Sequence, residues 1–267
     1  MSAGGRHSGG MPPGEAANRF DDAATAQMER MVADFGRMYR ERNEALHEVA
    51  QAHHDALMRL SRAAEYRDDD TGVHIIRIGK LAGALATCLG LGTDFARLLE
   101  QAAPMHDVGK IGIPDRVLKK PGPLTPEERA EMDRHPAIGA EILGRSRIPL
   151  FQLAAEVALS HHERFDGTGY PSRQAGGAIP ISGRIVAVVD FLDALTMDRC
   201  YRPAYSDAQA IEMLLAERGK AFDPAVVDCF LDHRDSLVDL RNRVNAHVGD
   251  VALLMDEGSP IRLAAPI

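Results

Sequence analysis

The strongest constraint on the fold is a long segment without helix breakers. Residues 20–66 contain no proline and a single glycine, Gly36. Apolar side chains recur through this segment three or four positions apart, the spacing that lines one face of an α-helix: Met28, Met31, Val32, Phe35, Met38, Tyr39, Leu46, Val49, Leu57 and Leu60. The segment therefore predicts one long amphipathic helix, with polar interruptions of the stripe at Arg42 and His53.

The length of this helix bears on its partner. One possibility is an ordinary helix packed on its own domain. A dimerising helix with a coiled-coil-like stripe is favoured, because the segment is long and precedes the histidine-rich part of the chain instead of interrupting it.

The rest of the chain has the pattern of helices joined by short loops. The Thr125–Glu128 segment reads as a capping box with proline in the first turn, and Ser206 is a second N-cap. The apolar segment 185–197 carries Asp190 and two further residues at helical spacing, which favours helix over strand. No alternation of period two extends far before Gly249. The predicted fold class is all-α.

Composition narrows the possible functions. The chain has 267 residues, a formal charge of −8 and no polybasic block, which argues against nucleic acid or an anionic membrane as the main partner. No run approaches the roughly 18 apolar residues of a membrane helix, and the N-terminus lacks the apolar core of a signal peptide. Three widely spaced cysteines argue against a disulfide framework and favour a cytoplasmic location. A small anionic substrate stays possible where metals and a few basic side chains reverse the local charge.

The segment from His161 to Pro171 points to a metal site. Two adjacent histidines run into a turn rich in glycine, which ends at Tyr170-Pro171. Further imidazoles and carboxylates are available elsewhere as partners: His74, His106, Asp107, His135 and Asp190. Any one histidine alone is more often a surface or hydrogen-bonded residue, and Asp190 has Arg184 as a possible ion-pair partner. The set as a whole favours coordination, because an unpaired carboxylate in the apolar segment around Asp190 is costly.

These nitrogen and oxygen ligands favour iron, manganese or zinc. Two metals a few ångströms apart suit attack on phosphorus, since one generates hydroxide and both stabilise charge on the oxygens. Asp107 is suited to bridge them, and Lys110 is suited to neutralise a phosphate oxygen. A surface lysine is the alternative interpretation of Lys110.

Two motifs carry a family resemblance. Met105-His106-Asp107-Val108-Gly109-Lys110 resembles the HD signature of the HD phosphohydrolase superfamily. His161-His162-Glu163 with Asp166-Gly167-Thr168-Gly169-Tyr170-Pro171 resembles the second signature of its HD-GYP branch. Further matches occur in the family's order and cover about residues 65–232. The resemblance implies an all-α HD-domain helical bundle and a phosphodiesterase that linearises cyclic di-GMP to pGpG, in some members on to GMP.

The resemblance also implies roles for single residues. The family's metal ligands fall on His74, His106, Asp107, His135, His161, His162 and Asp190. Its substrate contacts fall on Lys110, Gly169, Tyr170, Pro171, Arg199 and Arg202, and Asp107 and Lys110 are the expected catalytic residues. The cofactor is two divalent ions, iron or manganese first, with zinc, nickel or magnesium as alternatives. Cys200 departs from the family's proline, and the short side chain of Asp70 argues against a third metal, which longer glutamates hold in some members.

The expected organisation has four parts. Residues 1–18 are predicted to be disordered, 19–66 to form the dimerisation or signalling helix, 67–235 the catalytic domain, and 236–267 a C-terminal extension that includes a possible small hairpin. The expected partners are a cyclic dinucleotide, a second copy of the chain and partner signalling proteins. Two other functions stay open: hydrolysis of another cyclic dinucleotide such as cyclic GMP-AMP, and a non-catalytic binding or scaffold module.

Overall fold

All described secondary structure is helical. The computed structural model describes residues 13–67, 72–198 and 203–246, with side-chain environments from Ala24 onward. These residues form α1 (Pro13–Glu65), α2 (Val73–Cys88), α3 (Thr93–Ala102), α4 (Asp115–Leu118), α5 (Pro126–Met132), α6 (His135–Leu143), α7 (Pro149–Ser160), α8 (Ile181–Thr196), α9 (Asp207–Ala216), α10 (Pro224–Asp232) and α11 (Arg234–Ala246). Short 3₁₀ helices span Ala103–Met105, Val108–Gly112 and Gly176–Ala178. No strand forms within the described ranges, which confirms the all-α class.

Local capping explains several helix starts. Thr125 accepts a hydrogen bond from the Glu128 amide, and the Glu128 carboxylate accepts one from the Thr125 amide at 2.8 Å. Ser206 and Gln209 form the same reciprocal pair at the start of α9. Both arrangements satisfy amides that the first turn of a helix leaves without partners.

The long first helix has an exposed apolar stripe. It begins at Pro13, earlier than the predicted boundary at residue 19, because proline is tolerated in the first turn and residues 15–17 favour a helix. The chain divides into two compact units between Asp55 and Ala56. Within the first unit the large apolar side chains of the stripe are 51–70% exposed: Met28, Met31, Val32, Phe35, Met38, Tyr39, Leu46 and Val49. The described residues therefore leave the stripe uncovered.

The second unit has two hydrophobic clusters. One joins side chains of α2, α3, α7, α8, α9, α10 and α11. The other joins Leu57 and Met58 at the end of α1 with Val73, Met105 and Val108, and with the start of α7. Met105 and Val108 of the predicted HD signature therefore belong to the second cluster.

The last described helix belongs to this second unit. It continues past the boundary predicted at residue 235, and α11 buries Leu237, Leu240 and Val244 against the two clusters. The hairpin predicted within 236–267 lies outside the described residues. None of the described helices combines the length and apolarity needed to cross a bilayer.

Candidate metal centre

Five segments carry the seven predicted ligands to one place. His74 lies in the first turn of α2, and His106 with Asp107 forms the link between the first two 3₁₀ helices. His135 starts α6, His161 and His162 lie at the end of α7, and Asp190 lies in the middle of α8. The 3₁₀ helix Val108–Gly112, which follows the link, approaches α6 at Gly109, where an added Cβ would collide with the backbone of His135 and Gly139. Only glycine allows this approach, which holds His106 and Asp107 beside His135.

Helix ends set the orientation of three imidazoles. The Nδ1 atoms of His106 and His135 lie 3.1 Å from the carbonyl of Ala103 and 2.9 Å from that of Met132. His161 Nδ1 lies 3.0 Å from the Ala158 carbonyl in the last turn of α7. A carbonyl only accepts, so each Nδ1 carries the proton and each Nε2 keeps a free lone pair.

These lone pairs converge on Asp107. His135 Nε2 and His161 Nε2 lie 3.2 Å and 3.6 Å from Asp107 Oδ1, whereas His106 Nε2 lies 3.4 Å from Oδ2. His74 Nε2 and His106 Nε2 lie 3.6 Å and 3.7 Å from Asp190 Oδ1. The seven side chains thus form two groups, Asp107 with His135, His161 and His162, and His74 with His106 and Asp190. Asp107 belongs to the first group and also faces the second.

Unsatisfied buried atoms test whether cations fit this arrangement. His106 Nε2, Asp107 Oδ1, His135 Nε2 and His161 Nε2 are buried without a hydrogen-bond partner. Buried polar atoms of this kind are costly unless something pairs with them. A nitrogen and oxygen donor set fits a divalent cation in each group. Ligation by the seven residues stays a prediction.

The electrostatics of the two groups differ. Burial lowers the pKa of His162, and the nearby His161 and His135 hold it well below the usual value. That imidazole is therefore neutral at pH 7, as a metal ligand must be. In the other group burial opposes protonation of His74, but the hydrogen bond and charge of Asp193, together with Asp190, raise its pKa to about 9. A proton on His74 therefore partly offsets the buried negative charge of Asp190 and Asp193, which a bound cation would also neutralise.

Asp193 and Arg77, for which the sequence predicted no role, form a hydrogen-bonded network that holds the His74 ring. Asp193 Oδ2 accepts a hydrogen bond from His74 Nδ1 at 2.6 Å, and Asp193 also binds Arg77 at 2.5 Å and 2.9 Å. Both Asp193 and Arg77 are buried. Burial opposes ionisation of Asp193, yet the hydrogen bonds from His74 and Arg77 hold its pKa at about 2. In the sequence, one signal for this network was an acidic residue, Asp193, within an otherwise apolar segment.

The glycine-rich segment 166–171 forms a lip beside His161 and His162. The Tyr170 ring stacks on His162 with centroids 4.8 Å apart, and the guanidinium of Arg129 lies 5.7 Å from the centroid of the same ring. Gly169 packs against the backbone of His162 and Arg164, where an added Cβ would collide. The close approach made by this glycine is therefore to the protein's own backbone.

A buried carboxylate holds the far end of the lip. Glu163 accepts hydrogen bonds from the Ser172 amide at 2.7 Å and the Gln174 amide at 3.0 Å. It is 4% exposed, so these bonds are shielded from water. Glu163 was part of the recognised motif, but its role was not predicted.

Some predictions lie outside the described residues. Arg199 and Arg202, the two predicted phosphate contacts on the α8–α9 connection, are among them, as are Asp70 and Cys200. Arg184, the alternative partner of Asp190, instead pairs with Asp223 at 2.5 Å.

The sequence and the fold match known proteins. Residues 26–226 match the family described as HD domain. The cyclic di-GMP phosphodiesterase response regulator RpfG of Xanthomonas campestris is 47% identical over 193 residues, 72% of this chain and 51% of the relative. The cyclic di-GMP phosphodiesterase of Thermotoga maritima is 46% identical over 184 residues, 69% of this chain and 50% of the relative.

Two further matches bear on substrate and fold. The 3'3'-cGAMP-specific phosphodiesterase 2 of Vibrio cholerae is 44% identical over 182 residues, 68% of this chain and 35% of the relative. The chain spans about half the length, or less, of these curated relatives. A crystal structure of a cyclic GMP-AMP specific phosphodiesterase from V. cholerae aligns with a TM-score of 0.54 at 20% identity, covering 78% of this chain and 54% of that chain. At this identity the structural match supports the fold alone.

Proposed function

The chain belongs to the HD domain family, and from that premise we propose that it is a metal-dependent phosphodiesterase that linearises cyclic di-GMP. The observation that carries the proposal is the convergence of three unpaired buried imidazole nitrogens on Asp107, whose Oδ1 atom is itself unpaired, with Lys110 Nζ 2.9 Å from its Oδ2 atom. Curated relatives that are 46–47% identical are cyclic di-GMP phosphodiesterases. The product we expect is pGpG, with GMP as a possible later product.

The ligands would hold two divalent ions, with iron or manganese expected first. His74, His106 and Asp190 would serve one ion and His135, His161 and His162 the other, with Asp107 shared between them. Bound there, such ions supply an activated water and neutralise charge on phosphate oxygens. The Nδ1 bonds of the histidines keep the Nε2 atoms aimed at the centre before any ion arrives.

The chain's own side chains would bind and orient the substrate. Lys110 keeps an ammonium group beside Asp107, within reach of a phosphate oxygen. Tyr170 offers a ring face and a hydroxyl at the lip, which Gly169 and Pro171 shape. A net charge of −8 makes such local positive charge necessary for an anionic substrate. Arg199 and Arg202 are proposed to supply more of it.

Turnover assays test the substrate directly. The purified chain should convert cyclic di-GMP to pGpG, which chromatography separates from the cyclic form. Cyclic AMP, which has one phosphodiester and no second nucleotide, is the control and should not be cleaved. Cleavage of both at equal rates would contradict a site selective for cyclic dinucleotides.

A second substrate has support from one relative. The V. cholerae 3'3'-cGAMP-specific enzyme is 44% identical, against 47% for the cyclic di-GMP phosphodiesterase RpfG. Initial rates with the two dinucleotides at equal concentration decide between them. A higher kcat/KM for 3'3'-cGAMP would replace the proposed substrate while keeping the reaction.

Replacing Lys110→Ala should slow turnover while both metals stay bound. The ammonium is proposed to stabilise phosphate charge and is not a ligand, so kcat should fall roughly 10²-fold, as for the loss of one preorganised electrostatic donor. Metal content and kcat measured on one preparation check this. Lys119→Ala, which removes an exposed lysine nine positions further on, is the control. If Lys110→Ala loses metal or unfolds, Lys110 is structural.

We also propose that α1 forms a parallel pair with a second copy of the chain. Met28, Phe35 and Val49 lie on a seven-residue repeat interrupted by Arg42, and Val32, Tyr39 and Leu46 follow the same repeat four positions later. An exposed stripe of this length is a liability for a monomer, and pairing would cover it. Such a pair would offer a contact surface for partner signalling proteins.

A cytoplasmic location is proposed separately, from the spacing of the three cysteines.

Light scattering tests the pairing. The full chain should show about twice its 29.0 kDa mass at micromolar concentration. The double variant Phe35→Glu with Tyr39→Glu should be monomeric, because it sets like charges against each other across the seam. Arg40→Glu, an exposed change on the same helix, is the control and should stay dimeric. A monomeric wild-type chain would contradict the pairing.

A further inference from the structure

The end of α1 is bonded to the turn that carries Asp107 and Lys110. Ser61, in the last full turn of α1, is 1% exposed and donates a hydrogen bond to the Pro104 carbonyl at 2.7 Å. Two residues beyond that carbonyl lies His106. The backbone just before the predicted HD signature is therefore fixed to α1.

A second contact fixes the backbone after the signature. Arg67, two residues past the end of α1, donates from Nη1 to the carbonyls of Lys110, at 3.4 Å, and Ile111. Its Nη2 donates to the Ile113 carbonyl at 3.0 Å and to Asp115 Oδ1 at 2.6 Å. One guanidinium thus contacts three carbonyls within four residues of the chain.

The position of these carbonyls explains why an arginine is needed. They lie at the end of the 3₁₀ helix Val108–Gly112, which starts at Asp107 as its N-cap. The Lys110 carbonyl accepts one backbone hydrogen bond, from the Ile113 amide at 3.1 Å. The carbonyls that follow it lie beyond the last turn, where a helix leaves carbonyls without internal partners and a basic side chain nearby can bind them. Arginine offers five donors in a rigid fork, so it can bind several carbonyls at once, whereas lysine offers a single point charge.

We propose that Arg67 is a positioning residue that caps this 3₁₀ helix and thereby holds Lys110 in place beside Asp107. Asp115, whose side chain is 68% exposed, keeps the guanidinium turned toward the carbonyls. Arg67 acts through the backbone of Lys110 and touches no predicted metal ligand. The catalytic part of this inference rests on the proposed phosphodiesterase function, whereas the structural part does not.

A double-mutant cycle tests whether Arg67 acts through Lys110. Arg67→Ala should lower kcat about tenfold with both metals retained, because small misplacements of a catalytic group are costly. In a Lys110→Ala background the same change should have almost no further effect, since the group that Arg67 positions is already gone. Arg67→Lys should recover only part of the loss. Arg59→Ala removes an exposed arginine of α1 and should leave kcat unchanged.

Amide hydrogen exchange gives a readout independent of activity. In Arg67→Ala the amides of residues 110–113 should exchange faster, while those of α7 keep their protection. Asp115→Asn keeps the arginine and should produce a smaller increase in the same amides. Multiplicative kcat losses in the double variant, or metal loss in Arg67→Ala, would overturn the positioning role. Unchanged exchange at 110–113 would overturn the cap itself, even if the wild-type chain cleaved no cyclic dinucleotide and the proposed function failed.

Discussion

Replacing Asp107→Ala should remove both metal occupancy and turnover. Its Oδ1 faces His135 and His161 and its Oδ2 faces His106, so one substitution deletes the carboxylate that both groups share. We expect bound metal to fall from two ions to fewer than one per chain. kcat should fall by more than about 100-fold. That is the upper end of the loss expected when a residue that hydrogen-bonds to a ligand, rather than the ligand itself, is replaced. Elemental analysis and turnover on the same preparation measure both effects.

Two variants separate the carboxylate charge from the fold. Asp107→Asn keeps the size of the side chain and should lose metal nearly as completely as alanine. Asp94→Ala removes an exposed carboxylate at the start of α3 and should keep metal and activity. Wild-type metal content in Asp107→Asn would show that the histidines and Asp190 hold the ions without the Asp107 carboxylate and that Asp107 is not shared.

The second large effect is expected at Asp193, which binds no predicted ion. Asp193→Ala leaves the Arg77 guanidinium buried at 5% exposure without its carboxylate partner. Breaking a buried pair from one side costs about 3–5 kcal/mol of unfolding free energy. His74 also loses the acceptor that orients its ring, so metal affinity at the group of His74, His106 and Asp190 should fall about 10–100-fold. Denaturant unfolding and metal titration measure the two losses.

A compensated variant separates stability from orientation. Arg77→Met combined with Asp193→Leu removes both buried charges and should recover part of the unfolding free energy. It should not recover metal affinity, because His74 Nδ1 still lacks its acceptor. An Asp193→Ala variant with wild-type stability and affinity would mean that His74 is held by the helix backbone alone.

Local signals in the sequence were enough to predict much of the fold. The caps at Thr125 and Ser206 use partners three residues away, so the starts of α5 and α9 followed from the sequence. The role of α11 did not follow, because its three buried residues pack against distant elements of the two clusters. The start of α1 was also placed late, since the propensity of a few residues decides where a helix frays.

The candidate site, like the fold, could be predicted from the sequence only in part. The family resemblance implied seven ligands, of which the two quoted motifs carry four, and the structure brings all seven together in two groups. The residues that orient them were missed, since Asp193 lies 119 positions from His74 and Ser61 lies 43 from Pro104. Contacts at such separations depend on the packing of whole helices, which spacing along the chain does not encode.

The most direct test of a metal-dependent phosphodiesterase is cleavage of cyclic di-GMP before and after metal removal. The purified chain should form pGpG, lose this activity when chelation strips the metals, and regain it when Mn²⁺ or Fe²⁺ is restored to about two ions per chain. Undiminished cleavage by a chain with no detectable metal would contradict the proposed chemistry. A metal-loaded chain that cleaves no cyclic dinucleotide would contradict the proposed function.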